Sequence, residues 1–249
     1  MIRDVPIDIT LNIETRLDDA VTALGCRLDD VRHGEFWFAE ARHASVAAPT
    51  PLLDNRVVIR MRTGTSDDLT VTIYPPTGDR LAGEWATSFD RDQCEYRISD
   101  QWCGDDHRLT ASARTCHPSG SMSAAINAGT DPTHLLDATQ RRFLVACAST
   151  GTPIDHLVIR GPITSLVWDT SLRTVRDVRV ARWTSEHLDV VGVTTRINVL
   201  PGESAHHVAA RAVGLASDLR EGLRELGCQT SGLTSKTALA LRALASAGA

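Results

Sequence analysis

The sequence predicts an α+β fold made mostly of antiparallel strands, and three observations support this fold class. Many short segments alternate apolar and polar residues with a period of two, which is typical of strands with one buried face. These segments form two groups, and helix-forming segments follow each group. Several of the polar faces carry arginine; such faces would meet water in an open sheet and would line the interior of a closed barrel.

The first group of strands begins at the N-terminus. In 5–16 the apolar side chains fall on one face and the polar side chains on the other, which predicts a strand. Leu17 to Leu24 follows as a short helix, with Gly25 as a stop. Turn-forming residues at 64–68 predict a hairpin. The remaining strands of this group are predicted at 33–40, 55–63, 69–74, 93–99 and 107–115.

The second group follows a Gly/Ser-rich stretch at 118–130, which is interpreted as a loop. This loop would join two half-domains, about 1–117 and 131–249, of one domain that covers residues 1–249. Asp131 as a cap and Pro132 at the first helical position predict a helix. The predicted elements of this half are helices at 131–149, 203–226 and 234–247 and strands at 156–168, 173–184 and 188–199.

Composition argues for an ordinary globular protein of the cytoplasm. The chain has 249 residues, 42% of them hydrophobic and 23% charged, and a net charge of −5, which gives no reason to expect nucleic acid or an anionic membrane as a partner. It shows neither a signal peptide nor the roughly 20 apolar residues of a spanning helix. The six cysteines lack Cys-x-x-Cys spacing, so we expect no structural metal site. A homodimer is left open.

Lys236 is the only lysine in the chain. The other 25 of the 26 lysine and arginine residues are arginine. A compact ammonium with three donors suits a phosphate oxygen in a tight site, where a planar guanidinium would be too large. The alternative is an exposed lysine at the start of the last helix. The arginines on the upstream strands favour the phosphate interpretation.

The order of short motifs along nearly the whole chain resembles the CYTH superfamily, the triphosphate tunnel metalloenzymes. The family opens with Glu-x-Glu-x-Lys, and the corresponding stretch here is Asn12 to Arg16. An aromatic strand, an Arg-x-Arg strand, an acidic-basic strand, a Gly-Pro-Ile turn, a basic strand and a Ser-Lys pair then follow in the family's order. They lie at Phe36–Phe38, Arg60–Arg62, Glu95–Arg97, Gly161–Ile163, Arg176–Arg182 and Ser235–Lys236.

The resemblance implies a closed antiparallel β-barrel of about eight strands with flanking helices, whose charged interior is a tunnel for triphosphate or polyphosphate groups. It also implies Mg²⁺ or Mn²⁺ as cofactor. This chain departs from the pattern at two places that matter for metal binding. Asn12 replaces the first glutamate of the opening motif, and the late strand Val190–Arg196 has no carboxylate where the family has a metal-binding glutamate.

The residues that the resemblance selects form the predicted site. Glu14 and Lys236 are the expected catalytic residues, and Glu14 and Glu95 the expected metal ligands, with Asp8 as a further helper. The expected substrate ligands are Arg16, Arg60, Arg62, Arg97, Arg179, Arg182, Arg196 and Lys236.

Two functions follow from this site. The first is metal-dependent hydrolysis of a phosphoanhydride in a phosphorylated small molecule, such as an inorganic or organic triphosphate; a cyclase is a variant of it. The second is a degenerate tunnel that lacks the usual metal site and binds or converts another anionic or diphosphate-bearing metabolite in a specialised pathway. The lost carboxylates favour the second, because Mg²⁺ prefers several oxygen ligands. The arginines favour anion binding under either.

Overall fold

A computed structural model describes residues 5–14, 16–42, 49–64, 66–104, 106–231 and 234–246. The strands are β1 (Ile7–Ile13), β2 (Arg32–Ala41), β3 (Val57–Gly64), β4 (Asp67–Ile73), β5 (Phe89–Arg91), β6 (Cys94–Cys103), β7 (Asp106–His117), β8 (Leu157–Thr170), β9 (Val178–Ser185), β10 (Leu188–Ile197) and β11 (Thr230–Ser231). The helices are α1 (Leu17–Ala23), α2 (Pro51–Asp54), α3 (Ser121–Asn127), α4 (Ala138–Cys147), α5 (Ala205–Glu225) and α6 (Lys236–Ser246). Within the described ranges, no helix has the length and apolar character needed to cross a membrane.

Nine of the strands close into a barrel in the order β1-β10-β9-β8-β2-β3-β4-β7-β6. Neighbours are antiparallel except at the closure, where β1 runs parallel to β6, with Ile7 opposite Asp100 and Thr10 opposite Cys103. The predicted α+β barrel with flanking helices is therefore confirmed. The prediction of a wholly antiparallel barrel of about eight strands is corrected to nine strands with one parallel pair.

Several predicted boundaries differ from the structure. The stretch 118–130, interpreted as a loop, contains α3, and Met122 of this helix is buried against the barrel. The helix predicted at 131–149 is divided: Asp131 caps a short 3-10 turn, and Asp137 caps α4 separately. Leu136 between them is extended, so the two segments are not continuous.

Helices cover two sides of the barrel and identify the outer face of each strand. The side formed by β3, β4, β6 and β7 packs under α3 and α4 through a large apolar cluster that includes Ile59, Met61 and Phe143. The side formed by β1, β9 and β10 packs under α5 and α1 through Val180, Val193 and similar residues. Because side chains alternate along a strand, the residues between these outer positions point into the barrel.

The last helix packs against inward-pointing residues at one end of the barrel. Leu241 and Ala240 of α6 are buried in a cluster that includes Phe38, Val58 and Trp183. We call this end of the barrel the α6 end. Strands β1, β4 and β6 end there, and β3 begins there. The opposite end carries the β3–β4 hairpin and is called the hairpin end. The barrel interior thus combines an apolar α6 end with a polar region toward the hairpin.

Candidate functional site

The alternation of β3 directs Arg60 and Arg62 into the barrel, because Ile59 and Met61 between them pack on the outer side. Arg62 forms an ion pair with Asp68, the inward residue opposite it on β4, and donates to the Ser66 hydroxyl at 3.0 Å. Arg114 of β7 reaches the same Asp68 carboxylate at 3.1 Å. Asp68, only 1% exposed, is therefore shared between two guanidinium groups.

Arg60 lies deeper and has no comparable carboxylate. Its guanidinium lies 4.9 Å from the centre of the Phe36 ring, and its buried Nε has no hydrogen-bond partner. Among the described residues, no acidic group lies within ion-pairing distance of it. Burial lowers the pKa of Arg60, and the nearby charge of Asp68 offsets only part of this effect. Arg60 is thus a buried cation whose charge is not locally neutralised.

Lys236 is the first residue of α6, and its side chain runs along the inner face of β9 and β10. Its Nζ donates to the carbonyl oxygen of Ala181 at 3.3 Å and lies 5.1 Å from the centre of the Trp183 ring. It also lies over Gly192, where an added Cβ would come within 2.8 Å of Nζ. The lysine therefore occupies space that only a glycine leaves free on β10.

Burial of the ammonium, together with the nearby positive charges of Arg60 and Arg179, lowers the pKa of Lys236 to about 7. Cys103 of β6 opposes this shift weakly. These neighbours lie on strands β3, β6 and β9. The ammonium group therefore lies inside the barrel, with side chains of several strands around it. Lys236 and Arg60 together make a positive centre that favours an anion.

Glu95 and Arg97 lie at the hairpin end of β6 and neutralise each other. Their closest ion-pairing atoms are 3.0 Å apart, and Glu95 also lies 3.6 Å from Arg114. Arg97 donates in addition to the carbonyl oxygen of Phe89 and to Asp90. Both residues belong to the predicted site, and the structure brings them to the entrance of the barrel beside the Asp68 cluster.

Arg179 and Arg196 also lie toward the hairpin end, on the other side of the barrel. Arg179 donates to Asp169 at 3.2 Å. Arg196 lies 3.6 Å from Asp8, the predicted metal helper, which pairs with it across β1 and β10. Both arginines are more than 45% exposed, so their effect on a ligand in the lumen would be screened by water.

Arg16 and Arg182, predicted as substrate ligands, lie outside the barrel. Arg16 precedes α1, is 86% exposed and pairs with Asp19. Arg182 lies on the outer face of β9 and binds Asp18 of α1 at 2.5 Å and Asp189 at 2.7 Å. We leave both residues out of the site, because Arg16 lies at the exposed start of α1 and Arg182 lies on the face of β9 that points away from the lumen.

The predicted metal ligands are not brought together. Glu14 is exposed just after β1, at the α6 end, while Glu95 lies at the hairpin end of β6. Because β1 and β6 run parallel with Thr10 opposite Cys103, the length of the barrel separates them. No group of three His, Cys, Asp or Glu side chains with metal-binding geometry occurs among the described residues. The donor set therefore does not fit the Mg²⁺ or Mn²⁺ site that the sequence resemblance implies.

Three residues of the site were not in the predicted set: Asp68, Arg114 and Gly192. Arg114 could have been found from the alternation of β7, where it shares a face with Ser112 and lies opposite Thr70 of β4. Asp68 was assigned to the hairpin turn, but β4 begins one residue earlier. Gly192 carries no sequence signal, because its role depends on a side chain 44 positions later in the chain.

A separate cavity of about 830 Å³ opens at the α6 end between the end of β4 and the start of β7. Its wall includes Tyr74, Pro75, Arg56 and Arg108, with Leu53 from α2. Tyr74 also packs against the apolar cluster beneath α6. Burial raises the pKa of Tyr74, and the positive charges of Arg60 and Arg108 offset part of this rise. The cavity therefore lies next to the positive centre, with Tyr74 between them.

No family model matches the chain, and no curated protein is similar to it in sequence. Solved structures are similar in fold. A Hippeastrum protein, provisionally assigned as an adenylyl cyclase and described as having a dominant triphosphatase activity, matches with 12% identity over 93% of both chains and a TM-score of 0.56. A Bacillus halodurans protein, provisionally assigned as an adenylate cyclase, matches with 10% identity over 96% of this chain and 98% of its own, with a TM-score of 0.56. The chain has the CYTH-type tunnel fold.

Proposed function

On the premise of this tunnel fold, we propose that the barrel interior binds a triphosphate or polyphosphate group, either free or as part of a phosphorylated small molecule. The observation that carries the proposal is the pair Arg60 and Lys236. Both are inward-pointing cations without a carboxylate partner among the described residues, and both lie in surroundings that lower their pKa. A bound polyanion would supply the missing negative charge.

The remaining inward charges support the same ligand. Arg62 and Arg114 lie beside Arg60 and share one carboxylate, Asp68, so this side of the lumen keeps an excess of positive charge. Arg60 and Arg62 are two residues apart on one strand, about 7 Å along its axis, which suits neighbouring phosphates of one chain. The adjoining cavity beside Tyr74 would have room for an organic substituent.

Hydrolysis of a phosphoanhydride is a second candidate function. The observation that favours it is the dominant triphosphatase activity of the Hippeastrum protein of the same fold. Such a reaction needs cations on the phosphoryl oxygens and an oriented water molecule. Arg60, Arg62 and Lys236 would supply the first requirement, so binding is a precondition for hydrolysis in this barrel.

The test is calorimetric titration of the protein with inorganic tripolyphosphate, with phosphate release measured in the same samples. We expect saturable binding that Arg60→Met weakens by about 10- to 100-fold, since a hydrogen bond to a charged group contributes about 1.5–3 kcal/mol. Arg224→Met is the matched control, because Arg224 is exposed on α5 and paired with Glu221. Absence of binding to the wild-type protein would refute the proposal, and phosphate release would add the hydrolase function to it.

A further inference from the structure

Resting on the proposed anion binding, we infer that this barrel holds its polyphosphate without a divalent metal ion, and that Lys236 and Arg60 supply the positive charge a metal would otherwise provide. Three independent features of the inner surface support this inference: the pairing of the carboxylates near the hairpin end, the position of the Lys236 side chain over β10, and the unpaired donors of Arg60 and Arg62.

The inward carboxylates toward the hairpin end are already occupied by arginine. Asp68 is shared by Arg62 and Arg114, and Glu95 is paired with Arg97. A divalent ion needs carboxylate oxygens that can be directed toward it, usually in near-octahedral geometry for Mg²⁺. At these positions it would have to displace guanidinium groups that bind the same oxygens. It would also enter a region that already carries an excess of positive charge.

On β10, a cation takes the place of a carboxylate. The resemblance described above implies a metal-binding glutamate on this strand, but the inward positions are Val190, Gly192, Thr194 and Arg196. Gly192 leaves room for the Lys236 side chain, whose Cε would lie 2.6 Å from an added Cβ. A glutamate at this position would collide with the lysine side chain. The ammonium group therefore lies over the middle of the strand on which the resemblance implies a metal-binding acid.

On β3, two buried donors fit an anion better than a cation. The Nε donor of Arg60 has no partner, and the Nε donor of Arg62 is also unpaired. Both are hydrogen-bond donors, whereas a metal ion requires acceptors. A phosphate oxygen would satisfy such donors directly, and these contacts become strong when both partners are charged.

The experiment measures the dissociation constant of inorganic tripolyphosphate by calorimetry, first with EDTA-treated protein in EDTA and then in excess Mg²⁺ or Mn²⁺. We expect binding in EDTA. Adding the metal should weaken the apparent affinity, because the metal ion and the protein compete for the same phosphate oxygens. A tenfold or greater increase in affinity on adding either metal would overturn the inference but leave the proposed function standing. Absence of binding under all conditions would refute both.

Two variants distinguish metal-free binding of the anion from binding through a metal ion. In EDTA, Lys236→Met should weaken binding by about 10- to 100-fold. Glu95→Gln should leave it unchanged or strengthen it, because it removes a negative charge from the entrance. If Glu95 binds a metal, Glu95→Gln would instead weaken binding at least tenfold, and only when metal is present; this result would overturn the inference.

Thermal unfolding without ligand controls for folding. Removing the unpaired charge of Arg60 or Lys236 should leave the melting temperature equal to or higher than that of the wild type, because no ion pair is broken. The matched control for binding is Arg173→Met, since Arg173 is 76% exposed and pairs with Glu225 away from the lumen. A variant that binds poorly but melts normally has lost a ligand contact rather than its fold.

Discussion

Lys236 shows how a single residue links binding to pH. Its pKa in the folded chain is about 7, against the ordinary lysine value of 10.5, and burial is the main cause. Between these two values the unfolded chain binds a proton that the folded chain does not. The stability of the ligand-free protein should therefore rise with pH from about 7 to 10.5, and below about pH 7 the destabilisation from this group is fully present.

A bound polyphosphate should reverse this shift, because an anion beside the ammonium favours its charged form. At pH 8 to 9 we expect the wild-type protein to take up a proton on binding tripolyphosphate that Lys236→Met does not. The uptake is measured by calorimetry in buffers of different ionisation enthalpy, as the difference between the two proteins. Equal proton uptake by both would show that Lys236 does not contact the anion.

Gly192 offers a second prediction at the residue scale. The methyl group of Gly192→Ala would lie 2.6 to 2.8 Å from the last atoms of Lys236, so this flexible side chain must move away. We expect a small loss of stability and a clear loss of tripolyphosphate affinity, about tenfold, measured by calorimetry.

Gly214→Ala is the control for this substitution. Gly214 is exposed in the interior of α5, and an added Cβ there meets nothing within 4 Å. This variant should be more stable than the wild type by about 0.5–1 kcal/mol, because glycine is the poorer helix former, and should bind normally. If the two alanine variants changed affinity equally, displacement of Lys236 would not be the cause.

At the scale of elements, α4 is fixed to the outside of the barrel by polar contacts. Asp137 accepts from the backbone amide of Gln140 at 2.7 Å and also contacts the Thr115 hydroxyl. Gln140, fully buried, donates to the carbonyl oxygens of Leu69 and Ala113 on β4 and β7. The start of this helix therefore holds the same two strands that present Asp68 and Arg114 to the lumen.

Asp137→Ala should lower the free energy of unfolding by about 1–2 kcal/mol, because it removes the helix cap and leaves Thr115 without this partner. Chemical denaturation measures this loss. Tripolyphosphate affinity below the melting transition should stay within about twofold of the wild type, since Asp137 lies outside the barrel. A large loss of affinity in a folded variant would mean that α4 positions the lumen more directly than its contacts indicate.

The alternation of side chains within each strand also explains which parts of the site could be predicted from the sequence. The inward direction of Arg60 and Arg62 follows from the alternation of β3 alone, so local pattern is sufficient. The same rule separates Arg179 from Arg182, which are three positions apart and therefore lie on opposite faces of β9. Two arginines on the same strand do not necessarily reach the lumen together. The odd or even position of each residue along the strand decides whether its side chain points into the barrel or away from it.

For the whole molecule, the barrel with flanking helices could be predicted, but its register could not. The separation of Glu14 and Glu95 depends on β1 lying parallel to β6, with Ile7 opposite Asp100. Nothing in either segment specifies this partner, because both have apolar outer faces that fit many neighbours. The contact of Lys236 with Gly192 depends on α6 entering the barrel, which likewise requires the complete fold.

The closure of the barrel by its first strand also has a consequence during synthesis. Residues of β1 pair with β6, about 90 positions later, and with β10, about 185 positions later. Both edges of β1 therefore stay unpaired until these strands have been made. At roughly 5–20 residues per second, the last of these partners leaves the ribosome about 10–40 s after β1 does. Until then β1 is an exposed alternating strand with two open edges, of the kind that pairs with other chains. Productive folding of this protein therefore depends on keeping β1 shielded until β10 has been made.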